Sequence, residues 1–300
     1  MGLGVTSAAI YAVKPALINV FIKTKKEAPG LVWVRDTVIQ VYPFRVDGEL
    51  TFAGERVPLE EADVRERLDR EIQINVYRQS NTILNMKLAN RYFPDMERIL
   101  LEEGVPTDFK YLPLIESDFR DVISPSGAGG FWQFVPATAK LYGLEVNDII
   151  DERYNIEKST RAACKYLREA KERTGSWTAA AASYNFGTDG IAAKLDVQHT
   201  TNYYDLSITS ETARYVFRML AMKVIFADPE RAGYHLQDED LYQPQAYSVI
   251  EVDSTVNNLA DFAAANNLKY KELKLLNPWM RNTSLPNKLK KTYQIKILSK

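Results

Sequence analysis

Residues 111–134 of this chain read YLPLIESDFRDVISPSGAGGFWQF. One carboxylate, Glu116, follows an apolar run in this stretch, and a loop of small residues then leads to Trp132 and Gln133. A carboxyl group beside that much hydrocarbon loses hydration, which disfavours its charged form and raises its pKa. We therefore expect Glu116 to hold a proton near neutral pH. An acid beside an aromatic ring and an amide suits protonation of the leaving oxygen of a sugar.

The composition is that of an ordinary globular protein, with 46% hydrophobic and 26% charged residues in 300. This length predicts about two domains. The net charge of -1 and the lack of a basic stripe give no reason to expect nucleic acid as a partner. A single cysteine and two histidines cannot form an internal disulfide or a His/Cys metal cluster, so we expect no metal and no cofactor.

The N-terminal segment permits two interpretations. Residues 2–22 are mostly apolar but are interrupted by Lys14 and Pro15. Residues 1–25 are therefore either an export signal or anchor, which would associate the chain with a membrane, or a buried helix. Residues 26–59 form a β-rich lead-in, where the segment 31–58 predicts two or three short strands.

Helical patterns dominate residues 60–235. The predicted helices are a long one that starts at Glu60 and runs to about Met86, one between Pro94 and Gly104, and those over residues 136–142, 157–174, 178–183 and 210–226. Cys164 falls on the apolar face of the helix 157–174, where we expect a buried, inert thiol. The run of alanines after Trp177 predicts very close packing against another helix.

Residues 243–299 predict a separate small domain with the order β-α-α-β. Its predicted elements are a strand from Tyr247, helices over residues 256–266 and 270–276, and a closing strand over residues 293–297.

Four local features carry the chemical signal, and each is weak alone: Glu116-Ser117, the loop 124–130, Trp132-Gln133-Phe134 and Tyr184-Asn185. An arbitrary Glu is more often a helix cap or ion-pair partner, and Ser124 and Ser126 are equally typical of turns. The loop is not followed by the Gly-Lys-Ser/Thr of a phosphate-binding loop. Its glycines predict instead that backbone amides closely approach a bound ring.

Together and in this order, these features resemble the lytic transglycosylases of the lysozyme-like superfamily, in particular the membrane-bound type D group. The matching motifs are Glu116-Ser117, Ser124 to Gly129, Trp132-Gln133, Pro136 to Ala139, Ala182 to Gly187, and the segment Glu211-Thr212-Ala213-Arg214-Tyr215-Val216. The C-terminal unit resembles a LysM peptidoglycan-binding domain, with Leu276-Asn277-Pro278 as its Asn-Pro element.

The resemblance implies an α+β, predominantly α fold. It predicts a lysozyme-like helical catalytic domain over residues 60–235, preceded by a short β segment and followed by a LysM-like domain over residues 243–299. It also implies peptidoglycan glycan strands as the partner and the cell envelope, on the periplasmic side, as the location. Membrane association through residues 1–25 is left open.

The mechanism that the resemblance implies needs only one carboxylate. Glu116 protonates the oxygen between N-acetylmuramate and N-acetylglucosamine, and the acetamido group of the muramate stabilises the cationic carbon. Glu116 then deprotonates the muramate 6-hydroxyl as that oxygen attacks, which gives a 1,6-anhydromuramyl end. Asp118 and Asp121 have polar neighbours, and we expect them on a solvated face.

Other site roles follow from position in the resemblance. Tyr184 is expected near Glu116, where it orients the proton, and Asn185 is expected to hold the loop or a sugar hydroxyl. The remaining candidates for substrate binding are Ser117, Ser126, Gln133, Trp132 and Glu211. For Trp132 a sugar platform and a core position are equally plausible, and Glu211 is closer to a helix-start residue than to a second catalyst.

Two alternatives remain open at the level of sequence. A muramidase of the goose-lysozyme kind would use similar groups but admit water, and so would give reducing ends. A non-catalytic peptidoglycan-binding scaffold would keep the LysM-like unit and a silent cleft.

Overall fold

The computed structural model describes residues 43–299. The predicted signal or anchor at residues 1–25, and the part of the β-rich lead-in before residue 43, lie outside the described residues. In chain order, the strands and helices are β1 (Thr51–Phe52), β2 (Glu55–Arg56), α1 (Ala62–Tyr77), α2 (Gln79–Glu102), α3 (Tyr111–Ser117), α4 (Pro136–Leu141), α5 (Ile156–Thr174), α6 (Trp177–Phe186), α7 (Thr188–Val197), α8 (Ser210–Ala227), β3 (Tyr247–Val252), α9 (Leu259–Ala265), α10 (Tyr270–Leu276) and β4 (Tyr293–Leu298). This arrangement confirms the α+β, predominantly α class.

The first hairpin is short. β1 and β2 pair antiparallel, with Thr51 opposite Arg56, and Gly54 supplies the positive φ of the turn. Two short strands are therefore confirmed in the described part of the lead-in, and residues 43–59 contain no third.

The boundary between α1 and α2 corrects two predictions. The apolar stripe predicted as one helix from Glu60 is broken at Arg78, where no Gly or Pro signals a break. Pro94 was expected near a helix start, but it lies inside α2. Its ring nitrogen has no hydrogen, so the carbonyl of Asn90 lacks its usual helical donor.

The helices α5, α6 and α8 form the centre of the core. α5 ends at Gly175 with a φ of 85°, as its pattern predicts, and Cys164 is fully buried on its inner face. Residues 179–182 are all alanine and all fully buried, because α6 packs against both α5 and α8. The close packing predicted for this alanine run is confirmed.

The C-terminal elements confirm the predicted β-α-α-β unit. β3 and β4 pair antiparallel, with Tyr247 opposite Leu298. Asn277 is fully buried after α10, and its amide both donates to the Lys296 carbonyl at 2.7 Å and accepts from the Lys296 N–H at 2.8 Å. This side chain therefore fastens the end of α10 to β4.

Within residues 43–299, none of the helices is long and apolar enough to cross a membrane.

Candidate active site

Glu116 lies in the last turn of α3, a helix of 7 residues that the sequence pattern did not predict. The buried side chains of Leu112 and Leu114 fix this helix in the core, while Glu116 itself is partly exposed. Burial raises the pKa of Glu116 above its ordinary value, as the apolar run predicts. A carboxyl group of this kind keeps its proton to higher pH than a solvated one.

Three side chains of α8 shift the pKa of Glu116. The hydroxyl of Tyr215, itself buried, donates a hydrogen bond to Oε1 of Glu116 and lowers its pKa, as does the charge of Arg218. The charge of Glu211 raises the pKa again. The guanidinium of Arg218 also donates to the carbonyl of Ile115 at 2.7 Å, which ties α8 to α3 beside the acid.

Tyr215 and Arg218 were not among the predicted site residues. Tyr215 lies on the buried face of α8, and its hydroxyl donates to the acid. The Glu-Thr-x-x-Tyr-Val motif that starts at Glu211 contained this signal. Glu211 is exposed in the first turn of α8, which matches its predicted place at a helix start.

Tyr184 takes a different role from the predicted one. It lies close enough to Glu116 for that charge to add to the effect of burial in raising the pKa of Tyr184. Its hydroxyl, however, donates to the carbonyl of Trp132 at 2.8 Å. Tyr184 therefore lies near Glu116, as predicted, but its hydroxyl bonds the backbone at Trp132, and the hydroxyl that donates to Glu116 belongs to Tyr215.

The ring of Trp132 lies in the core, with 0% of its surface exposed. Its indole N–H donates to the hydroxyl of Thr160 at 2.9 Å. Of the two positions considered for Trp132, the structure shows the core position, because a ring without exposed surface cannot stack on a sugar.

The remaining predicted contacts lie around the loop. The hydroxyl of Ser117 is buried and lies 3.0 Å from the carbonyls of Pro113 and Phe131, so it bonds the protein rather than facing a ligand. The amide of Gln133 donates to the carbonyl of Gly130 at 2.8 Å. Ser126 is exposed, and its hydroxyl lies 2.8 Å from that of a neighbouring serine.

Asn185 is exposed at the end of α6. Its side-chain oxygen accepts a hydrogen bond from the hydroxyl of Thr212 at 2.8 Å, which links the end of α6 to the start of α8. Asn185 therefore holds α8 rather than the glycine loop.

Asp118, which was expected on a solvated face, is instead bonded to the protein. It accepts hydrogen bonds from Asn81 and Asn85, each at 2.9 Å, and pairs with Arg120 at 2.8 Å. Burial alone would raise the pKa of Asp118, but these donors reverse that effect and lower it. Asp118 is thus a structural anion and not a solvated one, whereas Asp121 is exposed as predicted.

Two segments of this chain match known domain families. Residues 96–206 match the transglycosylase SLT domain, a range that contains Glu116 and its loop. Residues 96–206 are an SLT domain. Residues 248–300 match the soluble lytic transglycosylase C-terminal LysM-like domain, so the SLT domain is joined to a LysM-like domain.

Two curated relatives have the same name, membrane-bound lytic murein transglycosylase D, and come from Escherichia coli strains K12 and O6:H1. Each is 25% identical over 249 residues, which covers 80% of this chain and 54% of the relative. The chain therefore spans about half the length of these relatives. A solved structure of an inactive mutant of the lytic transglycosylase Slt from Pseudomonas aeruginosa matches at 20% identity and a TM-score of 0.34, covering 50% of this chain and 26% of that one.

Two glycines of the loop, Gly129 and Gly130, lie directly against Arg153. A Cβ on Gly130 would lie 2.0 Å from the carbonyl oxygen of Arg153, and one on Gly129 would lie 3.1 Å from the Arg153 guanidinium carbon. These two glycines thus admit the protein's own Arg153, and the approach of loop amides to a bound ring stays a prediction. Among the described residues, no group of three or more His, Cys, Asp or Glu is arranged to hold a metal ion.

Proposed function

We propose that this chain cleaves the β-1,4 bond between N-acetylmuramate and N-acetylglucosamine in peptidoglycan without consuming water, and leaves 1,6-anhydromuramyl ends. The observation that carries the proposal is Glu116, a partly buried acid with a raised pKa inside an SLT domain, bonded by the buried Tyr215. The name of the Escherichia coli relatives, lytic murein transglycosylase, supports the same reaction.

In the first step, protonated Glu116 gives its proton to the glycosidic oxygen, and N-acetylglucosamine leaves with that oxygen. The raised pKa keeps this proton on Glu116 to higher pH than on a solvated carboxyl group. The muramate's own acetamido oxygen stabilises the electron-poor carbon that remains, so a second protein carboxylate is not needed.

In the second step, Glu116 acts as a base. It removes the proton from the 6-hydroxyl of the muramate as that oxygen bonds to the anomeric carbon. Glu116 thus ends the cycle protonated, and no water enters the product. Between the two steps the carboxylate is stabilised by the hydrogen bond that the Tyr215 hydroxyl donates, which is stronger to an ionised acceptor.

The opposing influences on Glu116 suit a group that must serve as both acid and base. Burial and Glu211 favour the protonated form, while Tyr215 and Arg218 favour the ionised form. A group on which opposing influences act in this way can both lose and regain a proton during one cycle. We propose that Glu211 acts only through its charge, which raises the pKa of Glu116.

We further propose a division of labour along the chain, with residues 60–235 as the catalytic domain and residues 243–299 as a glycan-binding domain. Of the predicted substrate contacts, Ser126 and Asn185 are exposed on the surface of the catalytic domain, as is Glu211, to which we assign the electrostatic role. We infer that peptidoglycan strands are the partner and that the chain acts at the periplasmic side of the cell envelope. Residues 1–25 are the candidate for attachment to a membrane.

Digestion of purified sacculi followed by mass spectrometry tests this proposal. We expect muropeptides that are lighter by one water than the hydrolytic products. Glu116→Gln should abolish their release. Glu169→Gln is the matched control, because Glu169 also accepts a hydrogen bond from a tyrosine, Tyr142, but on the exposed face of α5. Reducing ends would identify a muramidase instead, and binding without release would identify a scaffold.

A further inference from the structure

Residues 124–134, which we call the active-site loop, fold back on themselves. The N–H of Gly129 donates to the carbonyl of Phe134 at 3.0 Å, and the N–H of Ser124 donates to the carbonyl of Ala128 at 2.8 Å. The loop touches the helix of the acid through the carbonyl of Phe131, which lies 3.0 Å from the Ser117 hydroxyl. Any displacement of the loop therefore reaches the residue next to Glu116.

Arg153 bonds two points of this loop, one near its start and one at its end. Its Nη1 donates to the carbonyl of Gly127 at 2.6 Å and to that of Phe134 at 3.0 Å. A Cβ on Gly130 would lie 2.0 Å from the carbonyl oxygen of Arg153, so the loop also packs directly on the backbone of residue 153. One side chain thus bonds two separate parts of the loop, and the glycines leave room for Arg153 to lie against the loop backbone.

Asp151 fixes the guanidinium of Arg153 in place. Nε donates to Oδ1 at 2.9 Å and Nη2 donates to Oδ2 at 2.7 Å. The side chains are only 6% and 10% exposed, so this two-bond pair is shielded from competing water. A paired fork of this kind sets the orientation of the guanidinium and not only its charge.

The backbone of Asp151 is in turn held by the C-terminal unit. Its N–H donates to the carbonyl of Trp279 at 2.8 Å, and the N–H of Arg281 donates to the carbonyl of Ile149 at 2.8 Å. Ile150 and Met280 face each other as an antiparallel bridge between these bonds. The segment before Arg153 is therefore paired with a segment of the LysM-like domain.

We propose that Arg153 is a positioning residue through which the C-terminal unit holds the active-site loop in the conformation that catalysis at Glu116 requires. The proposal rests on the proposed function. It gives the LysM-like domain a second role besides any binding of glycan, because its backbone fixes Asp151, Asp151 orients Arg153, and Arg153 joins the loop. A misplacement of about 1 Å near reacting groups costs on the order of 100-fold in rate.

The test compares the turnover of sacculi per folded molecule with amide hydrogen exchange in the loop. Arg153→Met leaves Asp151 buried without its partner, which threatens folding. The double variant Asp151→Asn with Arg153→Met removes both charges and keeps the oxygen that accepts from the N–H of residue 153. Arg161→Met is the control, because Arg161, on the surface of α5, also makes two ion-pair contacts, but with Glu102 and Glu103 and not with the carbonyls of the loop.

In the double variant we expect exchange of the loop amides to rise at least tenfold and turnover to fall at least tenfold, while α5 exchanges as in the control. Arg153→Lys, which keeps the charge without the fork, should recover part of the turnover. Met280→Ala, which opens the junction with the C-terminal unit, should also speed exchange in the loop. Unchanged loop exchange in the double variant or in Met280→Ala would overturn the proposal, as would turnover equal to the control. A wild-type protein that releases no anhydro products would overturn the proposed function alone, since exchange in the loop is read without substrate.

Discussion

Tyr215→Phe tests how the protonation of Glu116 is set. The substitution keeps the buried ring and removes only the hydroxyl that donates to the carboxyl group. That hydrogen bond lowers the pKa of Glu116, so its loss should raise the pKa further. Because the proposed first step needs the protonated acid, the alkaline limb of the pH–rate profile should move to higher pH.

The energetic size of this change depends on pH. A hydrogen bond to an ionised group contributes about 1.5–3 kcal/mol and one between neutral groups about 0.5–1.5 kcal/mol. Tyr215→Phe should therefore destabilise the fold by roughly 1 kcal/mol more where Glu116 is ionised than where it is protonated. For a protein of this size, that difference corresponds to about 2–4 °C in the melting temperature.

The sign follows from linkage. Burial makes the folded state bind the Glu116 proton more tightly than the unfolded chain does. This contribution to stability is fully present below the unfolded pKa and is lost as the pH rises through the folded pKa. Removing the Tyr215 donor raises the folded pKa, so the loss should become larger and should extend to higher pH.

Initial rates of sacculus solubilisation and thermal melts across the pH range measure both effects. Tyr203→Phe is the control, because its buried hydroxyl donates to the carbonyl of Ala213 at 3.0 Å and not to Glu116. It should lower stability by a similar amount at every pH and leave the alkaline limb in place. An alkaline limb that stays fixed in Tyr215→Phe, or moves to lower pH, would refute the reasoning.

Three further outcomes are expected from calorimetric or denaturant unfolding. Trp132→Ala should cost about 3–5 kcal/mol, since the ring is fully buried; a cost below about 1 kcal/mol would contradict the core assignment. Gly130→Ala should prevent normal packing of the loop, because its Cβ would lie 2.0 Å from the carbonyl oxygen of Arg153. A Cβ on Gly127 would meet no atom within 4 Å, so Gly127→Ala should cost only about 1–2 kcal/mol for its positive φ. Equal losses of stability in the two variants would contradict this expectation. Burial alone would raise the pKa of Glu157, but a lysine and a tyrosine lower it, so stability from this group is lost as the pH falls through its folded pKa. Glu157→Gln should make stability depend less on pH in the acid range, and an unchanged dependence would contradict the stabilising contacts of Glu157 with Lys296 and Tyr247.

The sequence predicts the helices whose signals are local. α5 has an apolar face and a terminal Gly175, and both act within a few residues along the chain. Pro94 is the opposite case, because a proline inside α2 is tolerated only through tertiary packing that outweighs the lost hydrogen bond. The break at Arg78 has no local signal either, so a single stripe appeared to continue across two helices.

The site shows the same division between local and distant causes. The direction of the pKa shift of Glu116 agrees with the prediction made from the apolar run before it. Tyr215 was not found because the face of α8 that packs on the core is also the face that meets the acid. Trp132 and the glycines contact Thr160 and Arg153, which lie at distant positions in the chain, and no pattern within the loop specifies those partners.

The electrostatic site is larger than the segment that matches the SLT domain. Glu116 lies within residues 96–206, but the Tyr215 donor lies on α8, after that segment ends. α8 is held by α1, which precedes the segment: Arg214 pairs at 2.6 Å with Glu71, a fully enclosed carboxylate of α1. The two flanking helices thus fix the hydroxyl that limits the pKa of the acid. If residues 96–206 were isolated, Glu116 would lose the Tyr215 donor, the charges of Arg218 and Glu211, and the part of its burial that α8 supplies, so its pKa would no longer be set by the same balance.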